Sequence, residues 1–166
     1  MEFAKWCVAT EESVQTHKLR GLGIATGGQA HAIGAIAKAV PGYYTDPKRV
    51  ADLLRKLGKP AAAAHVEQKL PTQASIRSGD LGEILCNAYV YEATPFNLGI
   101  KRLRWKDHRN MSMRGEDVLA FNFDSKSGSL KILKAEVKSR AGMRTAVIDE
   151  ARAALCANSG LPSPHA

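Results

Sequence analysis

Cysteine is scarce, acidic side chains are outnumbered and no long apolar run is present, and each shortage removes a class of protein. The 166 residues hold 3 cysteines. Cys7, Cys86 and Cys156 are far apart and never at metal-ligand spacing, so they read as buried thiols of a reducing cytoplasm, not as a disulfide framework. The longest nearly uncharged stretch, residues 21–37, is rich in Gly and Ala and interrupted by Thr26, Gln29 and His31, too polar to span a membrane. Residues 1–6 lack the basic and apolar regions of a secretory signal. The histidines His17, His31, His65, His108 and His165 form no HxH or HxxxH pair, which argues against a zinc site. Gly21, Gly23, Gly27 and Gly28 miss the spacing of the dinucleotide fingerprint, and Gly58-Lys59-Pro60 is no phosphate-binding loop.

What is present is basic charge in one place. Lys and Arg number 24 against 16 Asp and Glu, a net charge of +8. Residues 1–98 carry 11 basic and 9 acidic side chains, residues 99–140 carry 11 and 5, and residues 141–166 carry 2 of each. Most of the positive field therefore lies in one stretch. A phosphate backbone is the commonest ligand for such a patch, and a solvated face is equally compatible with charge alone.

A length of 166 residues with 45% hydrophobic content suits one domain. Residues 3–10 read as a short strand or an extended lead-in, and the glycines put residues 19–29 in a loop. Ile33, Ile36, Ala37 and Val40 recur at helical spacing before Pro41, which predicts a helix over 30–40. Asp46 and Pro47 supply an N-cap and first turn, Val50, Leu53, Leu54 and Leu57 an apolar stripe, and Gly58 the stop. A further helix over 60–70 would complete a helical hairpin. The next takes Ser78 or Asp80 as its cap, places Leu81, Ile84, Leu85 and Ala88 on one face, and ends before Pro95. Strands follow over 100–105, 117–123 and 130–139, the last two joined at Ser127-Gly128, and then a helix over 145–156. This order predicts an α/β or α+β chain, with an N-terminal helical section (1–74) in the same compact unit as a core (75–166) whose sheet the helices cover.

Alternation along residues 130–139 points Leu133, Ala135 and Val137 one way and Ile132, Lys134, Glu136 and Lys138 the other. Glu136 and Lys138 are then about 7 Å apart along the strand. Counting back from Asp124 and forward from Ser129 by the same seven residues sets Asp117 opposite Glu136. Like charges at neighbouring strand positions repel, and a divalent cation would relieve them. Mg²⁺ takes hard oxygen ligands, typically one or two carboxylates plus water, and acidifies that water. Lys138 beside it could orient or help deprotonate the water, or neutralise charge on a phosphate. These parts suit phosphodiester hydrolysis. Trp6 and Trp105 read as core or interface anchors, and Trp105 among basic residues could instead stack on a base.

Asp117, followed nineteen positions later by Glu136-Val137-Lys138, resembles the PD-(D/E)xK nuclease superfamily, with Glu116-Asp117 replacing Pro-Asp. That resemblance implies a restriction-endonuclease-like core, a small mixed sheet flanked by helices, with carboxylates at the strand ends. It carries Glu83 of Ser78-Gly79-Asp80-Leu81-Gly82-Glu83 onto the helical glutamate, and Asp117, Glu136 and Lys138 onto the D…ExK motif. The segments 78–83, 100–107 and 111–117 are similar to the HamA family, the nuclease subunits of Hachiman antiphage defence, over roughly residues 75–155. The resemblance implies a Mg²⁺-dependent DNase, with Mn²⁺ able to substitute, in which Asp117, Glu136 and Glu83 hold the metal. It also implies a superfamily-two, HamB-like helicase partner. Arg104, Lys106, Arg109 and Arg114 are its candidates to hold the DNA backbone, and Asp80 is given no chemistry beyond a cap. The chain ends sooner after its last helix than that family leads one to expect, so a truncated C-terminus or a missing strand is the expectation there. A catalytically silent nuclease-like module that binds nucleic acid or protein is the alternative, and the helices over 30–70 would suit partner docking.

Overall fold

The computed structural model describes residues 1–142 and 144–164, and His165 lies outside them. The chain divides into two compact units, Met1–Pro41 and Gly42–Ala166, so the expected boundary at 74 falls inside the second. In the first, β1 (Cys7–Val14) pairs antiparallel with β2 (His17–Ile24), from Cys7 opposite Ile24 to Val14 opposite His17. Residues 19–24, expected in a loop, are therefore strand. The glycine that suggested a loop marks a close cross-strand approach: a Cβ on Gly21 would lie 2.6 Å from Oγ1 of its partner Thr10. Helix α1 (Gln29–Ala39) follows, as its periodicity predicts. Trp6 is buried as an anchor, its ring 5.1 Å from Phe3.

The second unit begins within α2 (Pro41–Tyr44) and continues into α3 (Pro47–Lys69). Asp46 caps α3 as expected, its carboxylate accepting from the Lys48 N–H at 2.8 Å. The two helices expected around Gly58 are one run broken there, where Gly58 adopts φ 81° and Pro60 follows. Helix α4 (Ala74–Ala93) starts ahead of both predicted caps, with Gln73 at the N-cap position. Ser78 and Asp80 are interior residues. The apolar stripe misled here because the buried face of α4 carries Asp80, Glu83, Ile84, Asn87 and Ala88, at helical spacing but with two acids.

Next come β3 (Asn97–Leu98), a 3-10 turn at Arg102–Trp105, β4 (Val118–Asp124), β5 (Ser129–Ala135) and α5 (Thr145–Cys156). The strand expected over 100–105 is the 3-10 turn: its alternation comes from Leu103 turning into the core at 2% exposure while Arg102 and Arg104 turn to polar partners. The described sheet, β3-β4-β5, is antiparallel throughout and not mixed, so the described fold is α+β with small antiparallel sheets. Register runs from Val118 opposite Ala135 to Asp124 opposite Ser129, so the expected pairing of Asp117 with Glu136 lies one step beyond the last ladder pair. The ladder stops at Ala135. Beyond it the Val137 N–H bonds to the Asp117 carboxylate at 2.7 Å, a side chain replacing a strand partner.

Ile84 of α4, Leu103 and Val118 of β4 are the largest fully buried side chains, so α4, the 3-10 turn and β4 share one core. Of the three cysteines expected to be buried, Cys156 is exposed and the other two are half-buried. Among the described residues, no helix is long and apolar enough to cross a membrane.

Gly82 lets segment 136–139 approach α4, since a Cβ there would lie 2.8 Å from Val137 Cγ1. Gly82→Ala should therefore lower the melting temperature, because overpacking of about 1–3 kcal/mol outweighs a helix-propensity gain of about 1 kcal/mol. Gly79→Ala on the same helix, where nothing lies within 4 Å, should raise it. Thermal unfolding of both variants checks the pair, and a stabilised Gly82→Ala contradicts the contact.

Candidate active site

Helix α4 presents Glu83 on its buried face, the residue before β4 presents Asp117, and the 3-10 turn presents Arg102 between them. One nitrogen of Arg102, Nη2, lies 2.8 Å from Glu83 Oε2 and 2.7 Å from Asp117 Oδ1. Its other terminal nitrogen donates to the carbonyls of Arg114 and Gly115 at 3.2 and 3.4 Å. The second oxygen of Asp117 is held by Val137. Lys138 Nζ pairs with Glu136 Oε1 at 2.7 Å just beyond.

These groups feel one another. Burial pushes the Glu83 carboxyl up to about 7, with the Asp117 and Asp80 charges adding, although the adjacent guanidinium pulls it down. Desolvation dominates because the Glu83 side chain is only 6% exposed. Burial and the Glu136 charge likewise raise Asp117, opposed by the Val137 N–H, Arg102 and Lys138. The hydrogen bond to Glu136 raises Lys138, holding it as an ammonium. Burial, with the Asp117 and Glu83 charges adding, pushes the nearby Cys86 thiol up to about 11, which makes it inert.

The expected set is thus brought together in two pairs: Glu83 with Asp117 across Arg102, and Glu136 with Lys138. Among the described residues, no three His, Cys, Asp or Glu side chains converge as ready metal ligands. The donors do fit a hard cation. Two carboxylates already put an oxygen within 2.8 Å of one positively charged point, and Mg²⁺ is commonly held by one or two carboxylates with water. The Arg102 Nε is buried without a hydrogen-bond partner, so the guanidinium is incompletely satisfied where it sits.

The candidate DNA-binding residues fare unequally. Lys106 is turned inward, its side chain 3% exposed and its ammonium 2.7 and 2.6 Å from the two oxygens of Asp80, so it cannot face a phosphate. Asp80 also accepts from the Tyr44 hydroxyl at 2.6 Å and is no cap. Arg104 spends Nε and Nη2 on the Gly42 carbonyl. Arg109 is half-buried and Arg114 is exposed. Glu116, next to Asp117, is buried against Lys134 and Ser163. Trp105 is 73% exposed and anchors no core. Sequence reasoning missed Arg102, which carries no motif. Its partners Glu83 and Asp117 are nineteen and fifteen residues away, so only packing shows the contact.

The HamA family's sequence model matches residues 1–165. The chain is 26% identical over 156 residues to the Hachiman protein HamA of Bacillus cereus, across 90% of this chain and 55% of that protein. The chain therefore spans about half the length of the curated relative it matches.

Arg102→Gln should destabilise the fold by about 3–5 kcal/mol at pH 8, the usual cost of stranding buried charge. The loss should shrink at pH 5. The Glu83 value in the folded protein lies above its ordinary 4.5, so Glu83 favours folding at low pH and loses that advantage as pH rises through about 7. Removing the guanidinium raises that value further, and protonation at pH 5 then takes over its role. Urea unfolding at both pH values reads the difference, and an equal loss at each contradicts it.

Proposed function

We propose, from the premise that the chain belongs to the HamA family, that it is a metal-dependent DNA nuclease of the PD-(D/E)xK type. In this reading it hydrolyses phosphodiester bonds as the effector of a Hachiman antiphage defence complex with a superfamily-two helicase. The observation that supports it most is the convergence of Glu83 and Asp117 on one point, with Glu136 and Lys138 following where the strand leaves its ladder. Asp117, Glu136 and Glu83 would hold Mg²⁺, or Mn²⁺ in its place, which supplies an acidified water and positive charge beside the phosphate.

The chain's own groups do the rest. The Val137 N–H fixes the Asp117 carboxylate in one rotamer. Lys138, kept protonated by Glu136, is a hydrogen-bond donor and a charge for the scissile phosphate rather than a proton acceptor. The burial of Glu83 gives it a demand for positive charge that a cation meets. Phosphate-dominated contacts carry little sequence information, so cleavage is structure-selective rather than sequence-specific.

Arg102 favours a second reading, a catalytically silent module, because it already neutralises the two carboxylates. Incubation of plasmid and single-stranded DNA with Mg²⁺, Mn²⁺ or EDTA, with and without the helicase, separates the two. Metal-dependent cutting is expected, reduced at least about a hundredfold in Glu136→Ala and Lys138→Ala. Equal cutting by these variants, or no cutting under any condition, rejects the nuclease.

A further inference from the structure

A cleft of about 910 Å³ in the second unit lies between the start of α3, the end of α3 and the segment 99–105. Cations outnumber acids in its lining. Arg49, Lys69, Lys101 and Arg104 line it, and none has a carboxylate partner among the described residues. Two acids share the lining, but both are engaged elsewhere, Asp46 on the Lys48 N–H and Asp52 on Arg55 at 2.8 Å. Lys101 stands 4.4 Å over the ring of Tyr43, and burial together with the Arg104 charge lowers its pKa. At the wall of the cleft is Trp105, an indole with 73% of its surface exposed.

We propose that this cleft binds single-stranded DNA, with Trp105 stacking on an unpaired base and Arg49, Lys69 and Lys101 holding the flanking phosphates. An excess of cations around an open aromatic face is what a strand with free bases requires. A base inside a duplex is already stacked and paired, and reaching the indole would cost its unstacking. The 3-10 turn links the cleft to the chemistry: Arg102 reaches Glu83 and Asp117 while Trp105, at the other end of the turn, lines the cleft. The inference rests on the nuclease reading for its purpose and not for its test.

Binding of a labelled oligonucleotide to the full chain is measured by anisotropy in EDTA, where no cutting intrudes, in single-stranded and duplex form. The single strand should bind more tightly and quench tryptophan emission, and the quenching should vanish in Trp105→Phe, where Trp6 is the remaining indole. Trp105→Ala should weaken binding about 5- to 150-fold, the range for one lost stack, and Arg49→Glu with Lys69→Glu about tenfold or more. All three positions are at least partly exposed, and circular dichroism verifies that the variants fold. Duplex bound as tightly as single strand, binding indifferent to these substitutions, or no binding by wild type each overturns the cleft. A protein that binds this way yet never cuts in Mg²⁺ overturns the nuclease and leaves the cleft in place.

Discussion

Glu83, buried, and Asp117, half-buried, bring two carboxylates to one point where they need positive charge or a proton between them, and Arg102 supplies the charge from a single nitrogen within 2.8 Å of both. Much of the second unit is arranged around that contact. The 3-10 turn must hold Arg102 over α4, and it is fixed at its ends by buried groups: Leu103 in the core and Lys106 locked on Asp80, with Tyr44 closing the same network. Asp80 and Glu83 lie three residues apart on one helical face, so α4 offers two acids and the segment 102–106 answers with two cations. The pairing sets the position of the turn, and the turn sets which side of it meets the carboxylates.

The same economy operates at the strand end. Asp117 uses one oxygen on Arg102 and the other on the Val137 N–H, which ends the ladder at Ala135 and sends Glu136 and Lys138 on as a separate ion pair. Gly82 permits this by letting Val137 lie against α4, and Ser78 and Ser139 bond at 2.8 Å beside it. Carboxylates and lysine are thus gathered by backbone detail as much as by strand register.

Much of this was legible from residues alone, because the signals were local. The Asp46-Pro47 start of α3, the 145–156 helix and the register of β4 with β5 follow from caps, periodicity and a glycine turn. The failures share a different cause. Gly21 and Gly23 look like a loop because sequence does not reveal that Gly21 faces Thr10 across a strand pair. Arg102 and Arg104 flank an apolar Leu103 as they would in a strand, and only the long-range partners Glu83, Asp117 and Gly42 show the turn. Lys106 read as a surface cation for the same reason, since its mate Asp80 is twenty-six residues away in the chain. Glu83, Asp117, Glu136 and Lys138 could be named from their pattern. The cation standing between the first two could not, because counter-ions of buried acids follow from packing rather than motif.

The central claim is that Arg102 stands between Glu83 and Asp117 at the point where we propose that a metal cation binds. Calorimetric titration with Mn²⁺ of wild type, Asp117→Asn and Arg102→Gln tests it most directly. The account predicts saturable uptake by wild type, its loss in Asp117→Asn, and tighter uptake in Arg102→Gln, where the competing guanidinium is gone. Absence of saturable uptake in wild type and Arg102→Gln alike, or uptake unaffected by Asp117→Asn, would contradict it.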